Sequence, residues 1–295
     1  MNLIVKSWIL GIILFITSAN SEAKETIIWR VLDWPPFYIL HGPDKGQGIY
    51  DVILNNITAK MPHYHHKKVV MNTQRLLAEF AKKTKVCSAS ALANTPAILS
   101  KVNSFLLPHQ LIYHKDDFPS FSLQASISLT RLLKNEKIKL GIATQRYPQI
   151  INDIIQKNQT NTNILRQNNY NSLVRMFFRR RFDALIEYPP VINYSKHQLG
   201  LSLNSQSIAI KEISSLKYLS VHFACSDSPW GKDVINAIDR LLVQEATSEN
   251  YLPSRLRWYE RNDKDALKTY YLDHYLNDKK TPSLVTKTTE GEFDK

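Results

Sequence analysis

Apolar and polar positions along the chain follow two alternating periods. Thr26–Leu32 (TIIWRVL) is rich in β-branched residues and predicts a strand. It stops at Asp33-Trp34-Pro35-Pro36-Phe37 because Pro36 has no donor and residues before proline are held extended. Gly42–Gly48 reads as a turn. In Tyr50–Lys60 the apolar residues Val52, Ile53, Ile57 and Ala59 give a short amphipathic helix that ends at Met61-Pro62. Lys67–Met71 predicts a second strand. Asn72 or Thr73 then caps a helix over Arg75–Lys83, with Leu76, Leu77, Phe80 and Ala81 on one face. Val86–Ala91 predicts a third strand.

The same grammar recurs further on. A short helix over Leu129–Asn135 precedes a strand at Ile138–Ala143. A helix over Tyr147–Lys157 carries Ile150, Ile151, Ile154 and Ile155, and a strand begins at Asn163–Leu165. Asn171–Arg180 predicts a helix ending in cations, which suit the negative end of its dipole. Phe182–Glu187 and Tyr218–Cys225 predict strands, and Trp230–Gln244 a long helix. This alternation predicts an α/β fold with mostly parallel pairing. Polar stretches near Tyr113–Phe121 and Leu199–Ser207 suggest two domains joined by two crossings. The expected division is residues 24–115 and 206–262 in one lobe and 116–205 in the other. A polar extension follows over 263–295, and its end, Thr281–Lys295, reads as disordered.

Residues 1–23 have the pattern of a secretory signal peptide. Lys6 precedes the apolar run Trp8–Ile16, and Ser21 and Ala23 are small residues at a cleavage site. The run is too short to cross a bilayer core, which takes about 20 residues. A soluble, exported, periplasmic product is expected, with no lipid anchor. Of the 295 residues 43% are hydrophobic and 22% charged, which excludes a disordered chain and a multispanning one. The net charge of +12 often signals nucleic acid. Export and the scatter of the cations point instead to a solvated surface, and no nucleic-acid partner is expected. Cys87 and Cys225 are the two cysteines. In an oxidising compartment they are a disulfide candidate, with two separate buried thiols as the alternative.

The N-terminal order of strand, DWPPF, glycine turn and amphipathic helix resembles bacterial extracellular solute-binding proteins of family 3, the type-2 periplasmic binding proteins. LLKNEKIKLGIATQRY is similar to the strand opening that family's second lobe. RRRFDALIEY is similar to its Gly-Arg-x-Asp-Ala strand, and KYLSVHFACSDSPWGKDVINAIDRLL to its return to the first lobe. The DWPPFYI opening and the FAC…WG segment resemble a proteobacterial branch of the family. The resemblance spans roughly residues 26–260. It implies two α/β lobes closing on a small polar solute of amine-bearing or amino-acid-like kind. It also implies a monomer that delivers the solute to an ABC importer permease or a membrane sensor, with no cofactor.

Carried over residue by residue, the resemblance is incomplete. Phe105-Leu106-Leu107-Pro108 matches the family's Phe-Ser-x-Pro, which puts Leu99 where the carboxylate-clamping arginine stands. Lys101 is a poor geometric substitute. Glu187 occupies the position of the acid that binds a ligand ammonium. Gln145-Arg146 falls on the second-lobe anion site, so Arg146 and the adjacent Tyr147 are ligand candidates. Trp34, Phe37 and Tyr38 fall where aromatics wall the cleft, with lobe-core packing the alternative, above all for Phe37. Asp51 is a candidate contact or a helix-dipole acid. Asn94 and Thr95 fall where a hydroxyl contact is expected. His63-Tyr64-His65-His66 lacks ligand partners nearby, and no metal is expected. No GxSxG, HExxH, P-loop or GxGxxG motif is present. An exported dehydratase-like enzyme using Asp183 or Glu187 as general acid is the alternative to a binding protein. An envelope interaction protein that has lost its ligand is another.

Overall fold

Strand β1 (Thr26–Val31) is the innermost piece of the N-terminal region. It pairs in parallel with β2 (His65–Val70) on one side and with β3 (Val86–Leu92) on the other. Helix α1 (Ile49–Ala59) connects β1 to β2, and α2 (Thr73–Ala81) connects β2 to β3. The α1 entry is tightly specified. Asp51 Oδ2 accepts from Ile39 N at 2.7 Å and Gly48 N at 3.3 Å, and a Cβ on residue 48 would meet Phe37 O at 2.6 Å. Asn72 caps α2 by accepting from Arg75 N at 2.8 Å. The computed structural model describes residues 24–144, 147–167, 170–200 and 204–276. The expected signal segment 1–23, Arg146 and the expected disordered end at 281–295 lie outside the described residues.

After β4 (Ile98–Leu106) the chain leaves this sheet through Leu107–His109 and enters β5 (Gln110–His114). A helical turn at Pro119–Leu123, β6 (Ser126–Ile127), α3 (Leu129–Leu132) and β7 (Leu140–Ala143) follow. Next come α4 (Gln149–Lys157), β8 (Ile164–Gln167), α5 (Tyr170–Phe178), β9 (Ala184–Glu187), α6 (Pro189–Leu199) and β10 (Ser205–Ile210). The chain returns through Lys211–Tyr218 to β11 (Leu219–Cys225). It ends in α7 (Pro229–Glu245), α8 (Tyr251–Leu256), α9 (Arg261–Tyr271) and a π-type turn at Leu272–Leu276. The strand orders are β2-β1-β3-β11-β4 and β6-β10-β5-β9-β7-β8.

Two expectations need correction. Pairing is mixed rather than mostly parallel, because β5, β10 and β11 adjoin the crossings and run antiparallel to neighbours. The expected divisions at 115/116 and 205/206 are displaced by one strand each. β5 and β10 both belong to the second sheet, so the crossings are Leu107–His109 and Lys211–Tyr218. Polar outward positions on β10 had disguised it as linker. The C-terminal extension is structured through Leu276. Leu267 and Tyr271 are fully buried, Phe105 N donates to Tyr271 Oη at 2.8 Å, and Tyr275 Oη donates to Val102 O at 2.6 Å. The segment covers β4 with tyrosines, whose rings bury like hydrophobes while the Tyr271 and Tyr275 hydroxyls each find a backbone partner.

Two interactions tie distant parts of the first sheet together. Cys87 and Cys225 are disulfide-bonded and sit opposite each other on β3 and β11, 138 residues apart. Arg255, 2% exposed, donates to Glu245 Oε2 at 3.1 Å and to Asn103 O at 2.6 Å, with its guanidinium 3.6 Å from the Tyr251 ring centroid. Glu245 Oε1 also accepts from Asn56 at 3.0 Å, so both buried charges are hydrogen-bonded.

Replacing both cysteines by alanine lowers the unfolding free energy by about 4–5 kcal/mol, the loop-entropy figure for a closure of this length. Urea denaturation checks it, and an unchanged midpoint would contradict the bond. Glu245→Ala strands the Arg255 charge and costs about 3–5 kcal/mol. The same assay reads this, and a loss below about 1 kcal/mol would mean that the pair contributes little.

Candidate functional site

The C-terminal ends of β1 and β3 open onto a cavity of about 420 Å³, within the range of small-molecule pockets. Period-2 alternation turns Ile28 and Arg30 of β1 toward α2, while Trp29 and Val31 enter the α1 side of the core. Arg30 and Leu32 line the cavity, followed by Trp34 beyond the strand end. Ser90, Asn94 and Thr95 line it from β3 and the turn after it, and Thr73 from the first turn of α2.

Arg30 is 5% exposed. Its Nε donates to Met71 O at 3.1 Å, Nη1 to Ser90 Oγ at 3.1 Å and Nη2 to Thr73 Oγ1 at 3.4 Å. The guanidinium is therefore held against the N-terminus of α2. A helix N-terminus carries partial positive charge, so the pair of them favours an anionic group in the cavity.

The opposite wall comes from the second lobe. Tyr188 follows β9, and Pro189-Pro190 after it start α6. Its ring centroid lies 5.8 Å from Trp34 and 5.8 Å from Phe37 in the first lobe. It also lies 3.8 Å from His109 in the first crossing, and His109 packs 5.1 Å from Tyr147. These rings form a seam from the end of β1 through the crossing to the second sheet.

Of the residues predicted from sequence, Trp34, Asn94 and Thr95 line the cavity together. Phe37 and Tyr38 do not. Phe37 is fully buried beneath Trp34 and stacks on Tyr50 at 5.7 Å. Tyr38 is also fully buried and donates to Ser90 Oγ at 3.3 Å, and burial raises its pKa. Asp51 is the α1 entry acid described above; burial raises its pKa, opposed by its two backbone donors and by Lys68. Tyr147 Oη accepts from Ala143 N at 2.7 Å and donates to Ile186 O at 3.1 Å, which fastens the start of α4 to the second sheet. Glu187 is fully buried, accepts from Tyr188 N at 2.8 Å, and is not part of the cavity lining. Arg146 lies outside the described residues. Leu99 sits near the start of β4 opposite Ala224, packed in the cluster beneath α2.

The residues that sequence reasoning missed are Arg30, Thr73, Ser90 and Tyr188. Arg30 did leave a signal: a charge at the centre of the apolar strand TIIWRVL must be buried or at a site. The proposed general acids do not reach the cavity, since Asp183 Oδ2 instead accepts from Lys139 N at 2.8 Å. His66 is structural. Trp29 Nε1 donates to its Nδ1 at 2.9 Å, so Nε2 carries the proton that faces Met61 O at 3.0 Å. Among the described residues no group of three His, Cys, Asp or Glu could hold a metal, and no helix is long and apolar enough to cross a membrane.

No family model and no curated protein matches the sequence. Solved structures match the fold at low identity. The GluR0 ligand-binding core in complex with L-glutamate shares 16% identity over 81% of this chain and 100% of its own, with a TM-score of 0.57. A Salmonella typhimurium periplasmic binding protein described for high arginine specificity shares 11% over 80% of this chain and 100% of its own, TM-score 0.57. A histidine kinase sensor domain with similarity to periplasmic binding proteins shares 10% over 80% of this chain and 96% of its own, TM-score 0.58. Two sheets, two crossings and these neighbours together establish a two-lobed α/β structure with the fold of the periplasmic binding proteins.

Proposed function

We propose that this protein is an exported, monomeric solute-binding protein whose interlobe cavity captures a small carboxylate-bearing, amino-acid-like solute. The observation that carries this reading is Arg30, a buried guanidinium lining a cavity at the strand ends of one lobe, with Tyr188 of the other lobe across it. Arg30 takes over the anion-binding task left vacant at Leu99, from a different strand. Thr73, Ser90, Asn94 and Thr95 supply polar partners for the rest of the solute, and Trp34 and Tyr188 supply flat walls. The neighbours named for glutamate and for arginine support an amino-acid-like ligand. The sensor-domain neighbour supports signalling as a destination beside ABC-type uptake. The expected leader at 1–23 supports a periplasmic location.

A thermal-shift panel of amino acids and dicarboxylates on the purified protein tests this. At a hundredfold excess over Kd the true ligand adds about 2.7 kcal/mol, a rise of about 5–10 °C for a chain of this size. Arg30→Gln then weakens that ligand by about ten- to a hundredfold in calorimetry, the loss of a charge-assisted contact. Trp34→Ala weakens it too without altering the buried network around Arg30. Binding unaffected by either change, or no carboxylate that shifts the melt, overturns the reading.

A further inference from the structure

A second pocket, of about 360 Å³, lies apart from the Trp34 cavity. Its floor is β5 and β10, one side is α6, and the other is the segment Glu260–Asp263 that opens α9. Its lining is mostly polar, with Ile112, Phe121, Ile192 and Ile208 as apolar members, and three charged residues contribute: Lys196, Glu260 and Asp263. Lys196 is already engaged. Its Nζ lies 3.6 Å from Glu260 Oε1 and donates to Ser205 O at 3.3 Å. That pairing offsets Glu260 and leaves Asp263 as the uncompensated charge. Among the described residues Asp263 has no ion pair and no side-chain hydrogen bond. Burial, with Glu260 beside it, pushes its pKa up to about 6, although the first turn of a helix ordinarily favours an acid.

A second observation is independent of the acids. Ser205 lines the same pocket, is 9% exposed, and its buried hydroxyl has no hydrogen-bond partner. A buried hydroxyl left unpartnered costs on the order of 1–3 kcal/mol, and native structures keep few of them. A group that donates hydrogen bonds and carries positive charge would satisfy the hydroxyl as acceptor and compensate Asp263 at once.

We propose that this pocket is a second binding site that takes a small primary ammonium group, with Asp263 as counter-charge and Ser205 as hydrogen-bond acceptor. The amide-bearing Gln110, Asn193 and Gln206 suit the polar remainder of such a molecule. The site is separate from the carboxylate cavity and does not depend on that reading.

Titration calorimetry of the purified protein with 1,4-diaminobutane, against sodium chloride at matched ionic strength, tests it. The expected result is saturable one-site binding at pH 7.5. Asp263→Asn, which keeps the shape, weakens it at least tenfold, and Ser205→Ala weakens it severalfold. Native protein binds at least severalfold more weakly at pH 5, because Asp263 loses its charge as pH falls through about 6 while the diamine stays charged. The groups facing Asp263 are Glu260, Tyr218 and Tyr259, with Lys196 reaching it only through Glu260. Absence of saturable binding overturns the proposal. So does binding that Asp263→Asn and Ser205→Ala leave intact, or that Arg30→Gln removes, since that would put the diamine in the first cavity. Should Asp263→Asn fail to fold, Ser205→Ala and the pH comparison on native protein still decide.

Discussion

The pairing of β3 with β11 is the constraint from which the rest of the architecture follows. β11 is inserted between β3 and β4, yet the whole second sheet separates it from both in sequence. Placing it closes a loop of more than a hundred residues, and loop-closure entropy opposes that step. The Cys87–Cys225 bond lies on this pair of strands, where restricting the unfolded chain has the greatest effect. Once β11 is seated, Leu107–His109 and Lys211–Tyr218 must lie side by side as the two connections between the sheets. The second lobe is then an insertion hung on two short segments.

Two arginines are buried in the first lobe, and their surroundings separate structure from function. Arg255 has a carboxylate, two backbone carbonyls and an aromatic face around it, far from any described cavity. It locks α8 to β4 and α7. Arg30 is held by one carbonyl and two hydroxyls, lines a cavity and faces a helix N-terminus. That setting is the one on which the proposed anion site rests. The lost clamp at Leu99 illustrates the same logic. Leu99 lies opposite Ala224 and packs in the cluster beneath α2, and it is not among the residues that line the cavity.

Much of the fold was legible because period and punctuation agree in the apolar βα units: β1 through β3, β7 through β9 and α7 lie within a few residues of their expected positions. What was missed shares a cause. β10 mixes polar with apolar residues beside a turn-rich segment, so it reads as linker, and β5 (QLIYH) runs directly into the polar stretch at Tyr113–Phe121. α6 begins at two prolines, which punctuate a sequence but also suit a first helical turn. At the site, three positions given by the resemblance, Trp34, Asn94 and Thr95, line one cavity. The resemblance does not fix a side chain's direction, which depends on packing. Phe37, Tyr38, Asp51 and Tyr147 are polar or aromatic near a strand end, and each was drawn into core packing or a backbone hydrogen bond.

Tyr188 is where the two lobes meet energetically. It belongs to the chain of the second sheet but touches Trp34 and Phe37 of the first. In any hinge opening at Leu107–His109 and Lys211–Tyr218 these two aromatic contacts would part while its contact with His109, in the first crossing, would change far less. Aromatic pairs contribute about 0.5–1.5 kcal/mol each beyond area burial, so the seam alone biases the lobes toward closure by about 1–3 kcal/mol. A solute in the Arg30 cavity would shift that balance only by its differential affinity for the closed form. Trp34 therefore sits at the junction of both effects. It is a contact for the opposing lobe and, in the proposed function, would also be a wall for the solute, so part of any binding energy it contributed would be spent on holding Tyr188 in place.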